Sequence, residues 1–184
     1  MLYYFDGATL IPMVYASSEW RLGGISCRQT TDYPREGDIH FNIVSDKATS
    51  LKLRVPTWCK SYSLALNGKE IGAEVTDGYI SLPLCAGESK VTLHLEREVI
   101  VEKHEIEGKP YISVNYGPLL MAHDTHFGGE LWQEIGDGAE FTPVVANNEA
   151  IVRLDSKEMT LVDFASAGGN SPETDLYTVF IPLK

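Results

Sequence analysis

The stretch LKLRVPTWCKSYSLALNGKEI, Leu51 to Ile71, sets Cys59 beside Trp58 and close in sequence to Lys52, Arg54 and Lys60. Neighbouring cations or a base turn a thiol into a nucleophile by stabilising its thiolate. Lys52 and Arg54, however, lie on a run whose faces are set by alternation. Pro56 breaks that run before Cys59, and no histidine lies within the stretch. These residues read as the corner between two strands, with Cys59 a small buried apolar side chain. Cys27 and Cys85 have still less chemistry around them.

The segment HDTH puts His123 and His126 three apart with Asp124 between them. A metal site needs three or four ligands, so this segment reads as a loop after a strand, with a small metal-binding protein as its rival reading. Glycoside hydrolysis needs two carboxyl groups at a set separation whose environments pull their pKa values apart. Glu96/Glu98 and Glu105/Glu107 share strand faces, but nothing supplies the apolar pocket. We therefore nominate no catalytic and no metal-ligating residue. Trp20 and Trp132 are the candidate carbohydrate-binding residues, since an indole can stack on a sugar ring, whereas Trp58 reads as packing at the strand corner.

The elements that hold these residues are strands. Ile39, Phe41 and Ile43 alternate with His40 and Asn42; Leu51, Leu53 and Val55 alternate with Lys52 and Arg54. Lys90 to Val101 alternates in the same way and reads as one strand. Asn67-Gly68 and Asp77-Gly78 are hairpin signals, because both central residues of a type I′ turn need positive φ. Pro110 to Asp124 reads as two strands around a Gly117-Pro118 break, and two more follow near the C-terminus. The best helix candidate is Gly128 to Gly138, with Leu131, Trp132 and Ile135 at helical spacing. The expected fold is all-β: antiparallel β-sandwiches, as two strand-rich units in tandem over residues 1–103 and 104–184. The charged stretch Glu102 to Pro110 is the softest boundary, and Ser166 to Asp175 is a Gly/Ser/Pro-rich loop.

A formal charge of −11 argues against a nucleic-acid partner, because phosphate binding needs concentrated Lys and Arg. No apolar run reaches membrane-spanning length. Three cysteines make a disulfide scaffold improbable and leave the compartment open. The N-terminus has no basic residue before Arg21 and opens directly on strand-like sequence, so the chain is expected to begin inside a longer protein.

Several motifs in order resemble one family. Residues 6–43 contain Ser18-Glu19 after an apolar strand and then Thr31 to Pro34. Next come Arg54, Pro56, Trp58, Asn67 and Gly68, and later the run Asn115 to Ala122. This order resembles the region that follows the catalytic barrel in the β-L-arabinofuranosidase family, glycoside hydrolase family 127. The resemblance implies a C-terminal β-sandwich region that packs on a helical (α/α) barrel of the same protein. In that family the barrel holds a zinc-binding cluster of cysteines and a glutamate, with one cysteine proposed as nucleophile. None of Cys27, Cys59 and Cys85 stands in a matching motif, so no catalytic residue is carried over and zinc is expected only in the barrel. The rival reading is an independent carbohydrate-binding sandwich for plant-derived glycans. A face that docks on a barrel would be left exposed in this chain, so a homo-oligomer is also expected.

Overall fold

The computed structural model describes residues 2–144, 151–169 and 176–184. The chain divides into two compact units, Met1–Glu96 and Arg97–Lys184.

The first unit holds eleven strands: Tyr3–Phe5 (β1), Thr9–Pro12 (β2), Ser18–Leu22 (β3), Ile25–Thr31 (β4), Asp38–Ser45 (β5), Thr49–Arg54 (β6), Tyr62–Leu66 (β7), Lys69–Ile71 (β8), Val75–Thr76 (β9), Tyr79–Leu84 (β10) and Gly87–Leu95 (β11). They form a five-stranded sheet, β1-β2-β6-β10-β9, and a six-stranded sheet, β3-β4-β5-β11-β7-β8. All pairs are antiparallel except β2 with β6, where Leu10 faces Leu51. The expected alternation sets the inner faces. Leu51, Leu53, Ile80 and Leu82 from one sheet meet Ile39, Phe41, Ile43, Val91 and Leu93 from the other in one core. Asn67 (φ 52) and Gly68 (φ 79) close the β7–β8 hairpin in the left-handed conformation that the Asn-Gly pair predicts. Gly37 permits a close approach: a Cβ there would lie 2.3 Å from the Leu95 carbonyl oxygen. That approach lets the Gly37 carbonyl accept from Leu95 N at 3.0 Å.

The second unit holds Val99–Ile106 (β12), Lys109–Tyr116 (β13), Leu119–Asp124 (β14), Thr142–Val144 (β15), Arg153–Asp155 (β16), Thr160–Asp163 (β17), Tyr177–Thr178 (β18) and Ile181–Pro182 (β19). The order is β12-β13-β14-β17-β16-β15, with β18 on β14 and β19 on β13. Its core gathers Ile112, Val114, Met121, Ile135, Leu154, Leu161 and Ile181.

Three local expectations change. Lys90 to Val101 is not one strand: β11 ends at Leu95 and β12 starts at Val99, so the alternation runs across the division between units. The charged stretch Glu102 to Pro110 is a hairpin, its turn built by Glu107 (φ 52) and Gly108 (φ 74). Gly128 to Gly138 is not a helix. Ile135 is fully buried while Trp132 is 61% exposed, which two residues three apart on one helix face would not be. Of the loop Ser166 to Asp175, residues 170–175 lie outside the described residues.

Candidate functional site

Two of the family-like stretches, Thr31 to Pro34 and Arg54 to Trp58, meet around Tyr15 in the first unit, whereas Asn67-Gly68 closes the β7–β8 hairpin and Asn115 to Ala122 lies in the second unit. After β2 the chain turns at Tyr15, whose hydroxyl donates to the Arg54 carbonyl at 2.6 Å. Tyr15 packs edge-on against Tyr33 (5.7 Å between centroids) and against Phe41 (6.3 Å) of the core. The Trp58 side chain lies beside the Tyr33 hydroxyl, where it opposes the rise in pKa that burial causes. Thr31 holds the turn that carries Tyr33: its Oγ1 accepts from Tyr33 N at 2.9 Å and donates to the Asp38 carbonyl at 2.6 Å. Ser17 braces the other side, exchanging two bonds with the Thr31 backbone at 2.9 and 3.0 Å.

Burial raises the pKa of Tyr15 well above the usual phenol value and raises that of Tyr33 as well, so neither hydroxyl is an acid or base at neutral pH. Between them and Pro12, Met13, Arg54 and Pro56 lies a cleft of about 120 Å³. Its rim is apolar and open to solvent: Met13 is 53% exposed and Val14 50%. Such a corner is suited to contact rather than to bond-making.

Cys59 belongs to this corner. Its backbone N–H donates to the Pro56 carbonyl at 3.0 Å, closing the turn, and its thiol donates to the Ser61 carbonyl at 3.0 Å. Cys27 is buried on the inner face of β4, and burial pushes its thiol pKa up to about 12. Cys85 is exposed. The pair Trp58-Cys59 is thus architecture: Trp58 packs against the core and Cys59 locks the turn.

The remaining candidates separate between the units. Trp20, on β3, is half-buried, with its ring stacked on Tyr3 (5.8 Å, 28°) and edge-on to Phe5 (5.6 Å). Trp132 is exposed on a loop of the second unit that is held on one side through its backbone at Glu130 and on the other through the Gln133 side chain. His123 Nε2 bonds the Glu130 carbonyl at 3.0 Å, and the Gln133 amide donates to the Glu158 carbonyl at 2.7 Å. In HDTH, His123 is buried, while Asp124 accepts from His126 N at 2.9 Å and Gly168 N at 2.8 Å. Asp124 is therefore a turn-former. Among the described residues, no three His, Cys, Asp or Glu side chains lie together as a metal set.

Tyr15 is the residue that sequence reading missed. Its only signal was a tyrosine just past an apolar strand, and its partner, Arg54, lies thirty-nine positions on.

Comparison with known proteins follows the same division. Residues 10–97 match the family model described as β-L-arabinofuranosidase, GH127 middle domain, a span that nearly coincides with the first unit. A curated non-reducing end β-L-arabinofuranosidase of Bifidobacterium longum subsp. longum is 26% identical over 127 residues, covering 62% of this chain and 19% of that protein. Among solved structures, a GH127 β-L-arabinofuranosidase from Geobacillus stearothermophilus T6 aligns with 100% of this chain at TM-score 0.74 and 14% identity. A GH127 β-arabinofuranosidase aligns with 100% of it at TM-score 0.81 and 18% identity. The chain spans 35% and 36% of those two solved chains. The matches support the family to which the motif order points. They describe the matched region as a middle domain, where the motifs had implied a C-terminal one.

Proposed function

We propose that this chain is a non-catalytic β-sandwich region of a β-L-arabinofuranosidase-like glycoside hydrolase, packed on and supporting an (α/α)-barrel catalytic domain of the same protein. The observation that carries the reading is the meeting of two family-like stretches, Thr31 to Pro34 and Arg54 to Trp58, at the Tyr15–Tyr33–Trp58 corner. That corner is rigid inside, through the bonds to Arg54 and Thr31, and apolar outside, through Met13 and Val14. A braced corner with an open apolar rim is what a docked domain needs from its support. In this reading the first unit is the middle domain and the second unit follows it toward the C-terminus.

The zinc that the resemblance implies does not fit here. Cys27 is buried in the core with a pKa pushed up to about 12, and the Cys59 thiol is spent on Ser61. The metal and the nucleophile belong to the barrel. Blotting the native protein with an antibody against this chain tests the proposal: a band several times longer than 20.4 kDa is expected. A band at 20.4 kDa, or hydrolysis of an arabinofuranoside by this chain alone, would overturn it.

A second reading, a carbohydrate-binding module for plant-derived glycans, draws support from Trp132, an exposed indole on a tied-down loop. Its stacking face costs little to order before a sugar arrives. Affinity electrophoresis on plant polysaccharides should then show retardation that Trp132→Ala abolishes while the fold persists. Retardation unchanged in that variant, or absent with the native chain, refutes it.

A further inference from the structure

The outer face of the β3–β4–β5 sheet carries a groove of about 500 Å³ whose lining includes Glu19, Arg21, Ser26, Arg28, Asn42 and Val44. Register explains how they come together. Arg21 pairs with Ser26 and Ser26 with Val44; one step along, Glu19 pairs with Arg28 and Arg28 with Asn42. The six side chains therefore form two adjacent cross-strand rows on the face opposite buried Ile25, Cys27 and Ile43. With strands about 4.8 Å apart and alternate residues about 7 Å apart, the grid measures about 10 by 7 Å, the footprint of about one to two pyranose rings.

The chemistry of the grid is specific. Glu19 accepts the Arg28 Nε–H at 2.6 Å, which fixes the plane of that guanidinium and leaves its terminal N–H groups unspent. The side chains of Arg21, Ser26 and Asn42 make no hydrogen bond among the described residues. Two guanidinium groups against one carboxylate make the groove locally cationic on a chain of formal charge −11. Asn and Ser beside them offer the paired donors and acceptors that sugar hydroxyls take.

We propose that this groove binds a carboxylate-bearing sugar, a uronate residue of an acidic glycan, with Arg21 as the primary carboxylate partner. Arg28 and Asn42 take the ring hydroxyls. Planar, forked guanidinium groups match a carboxylate in two parallel bonds, which a neutral sugar cannot offer. The site is independent of the barrel-docking corner, which uses Met13, Val14, Tyr15 and Tyr33.

Titrating the full chain with trigalacturonate, with arabinotriose and with sodium sulfate, followed by amide NMR shifts and calorimetry, tests the proposal. Trigalacturonate is expected to bind and to shift amides of β3, β4 and β5. Arg21→Gln should weaken it about tenfold or more, as expected for bonds to a charged group, and Asn42→Ala severalfold, as expected for bonds to neutral hydroxyls. Glu19→Gln should strengthen it severalfold, because it removes the one anion from the groove; a gain cannot arise from misfolding. Absence of trigalacturonate binding at millimolar concentration overturns the proposal. So does equal binding of arabinotriose, equal shifts with sulfate, or an affinity unchanged by Arg21→Gln and Glu19→Gln.

Discussion

Thiol labelling tests the reading of the Trp58-Cys59 corner directly. The thiolate is the reacting species, so access and pKa both count. Burial pushes the Cys27 thiol up to about 12, and at pH 8 that leaves a thiolate fraction of about 10⁻⁴. An unperturbed thiol of pKa about 8.5 is about one quarter ionised there, so Cys27 is slowed about two-thousandfold by ionisation alone. Its burial at 2% exposure multiplies that by the cost of opening the sheet. Cys59, at 9% exposure, has its thiol donated to Ser61 and is held by the same turn. Cys85 alone is exposed. With an aromatic disulfide reagent at pH 8, the native chain should release one equivalent of thiol rapidly, and the other two only in guanidinium chloride. Cys85→Ser should remove the rapid phase entirely. A second rapid equivalent in the native chain, or a rapid phase that survives Cys85→Ser, would mean that Cys59 is accessible and activated, and the architectural reading would fail.

Other consequences can be measured on the same chain. Tyr15→Phe removes the bond to Arg54 but keeps the ring on Tyr33 and Phe41, and should cost about 1 kcal/mol in urea unfolding. Phe41→Ala, at 2% exposure in the centre of the first core, should cost about 3–5 kcal/mol; a smaller loss for Phe41 than for Tyr15 would contradict the packing described. His94 sits 2.6 Å from Asp38 and 3.2 Å from Glu96, and these raise its pKa, Asp38 most. A raised folded value means the stabilisation is complete below the ordinary histidine value and is lost as pH rises through the folded one. The melting temperature should therefore carry a small fall between about pH 6 and pH 8 that His94→Gln removes. Met13 and Val14, exposed at the corner, should drive concentration-dependent self-association in sedimentation, reduced by Met13→Glu; a strictly monomeric chain at high concentration would count against a docking face there.

Most of the fold was legible because period two is a strong signal wherever one face of a strand is buried. Ile39, Phe41 and Ile43 on β5, and Val91, Leu93 and Leu95 on β11, became core as the alternation predicts. The Asn67-Gly68 turn was legible for the same kind of reason: few residues tolerate its φ. Glu107-Gly108 adopts nearly the same backbone, yet glutamate is no turn signal, so a hairpin passed for a boundary. The spacing of Leu131, Trp132 and Ile135 imitated a helix because three apolar residues can fall at helical intervals in a loop that buries only one of them deeply. Alternation also continues from β11 into β12, although the two strands serve different cores, and no local rule reports that change.

The two surfaces on which function is argued were less legible, and for one physical cause. Each is assembled across strands, so its members share no sequence window. Alternation places Arg28 and Asn42 on the outer faces of β4 and β5, but only the pairing of Arg28 with Asn42 and of Arg28 with Glu19 makes them neighbours. A slip of one residue in either pairing would scatter the grid and turn Ile25 and Cys27 outward. The register that buries the core is thus the register that builds the groove. The corner follows the same logic through its loops: Tyr15, Tyr33 and Trp58 stand in the segments that follow β2, β4 and β6, and meet across them. Motif order in sequence, which gave the family resemblance, is therefore a one-dimensional trace of a spatial requirement. In this chain Arg54, Pro56 and Trp58 stand near Thr31 to Pro34 because Tyr33 packs on Tyr15, and Tyr15 bonds the Arg54 carbonyl.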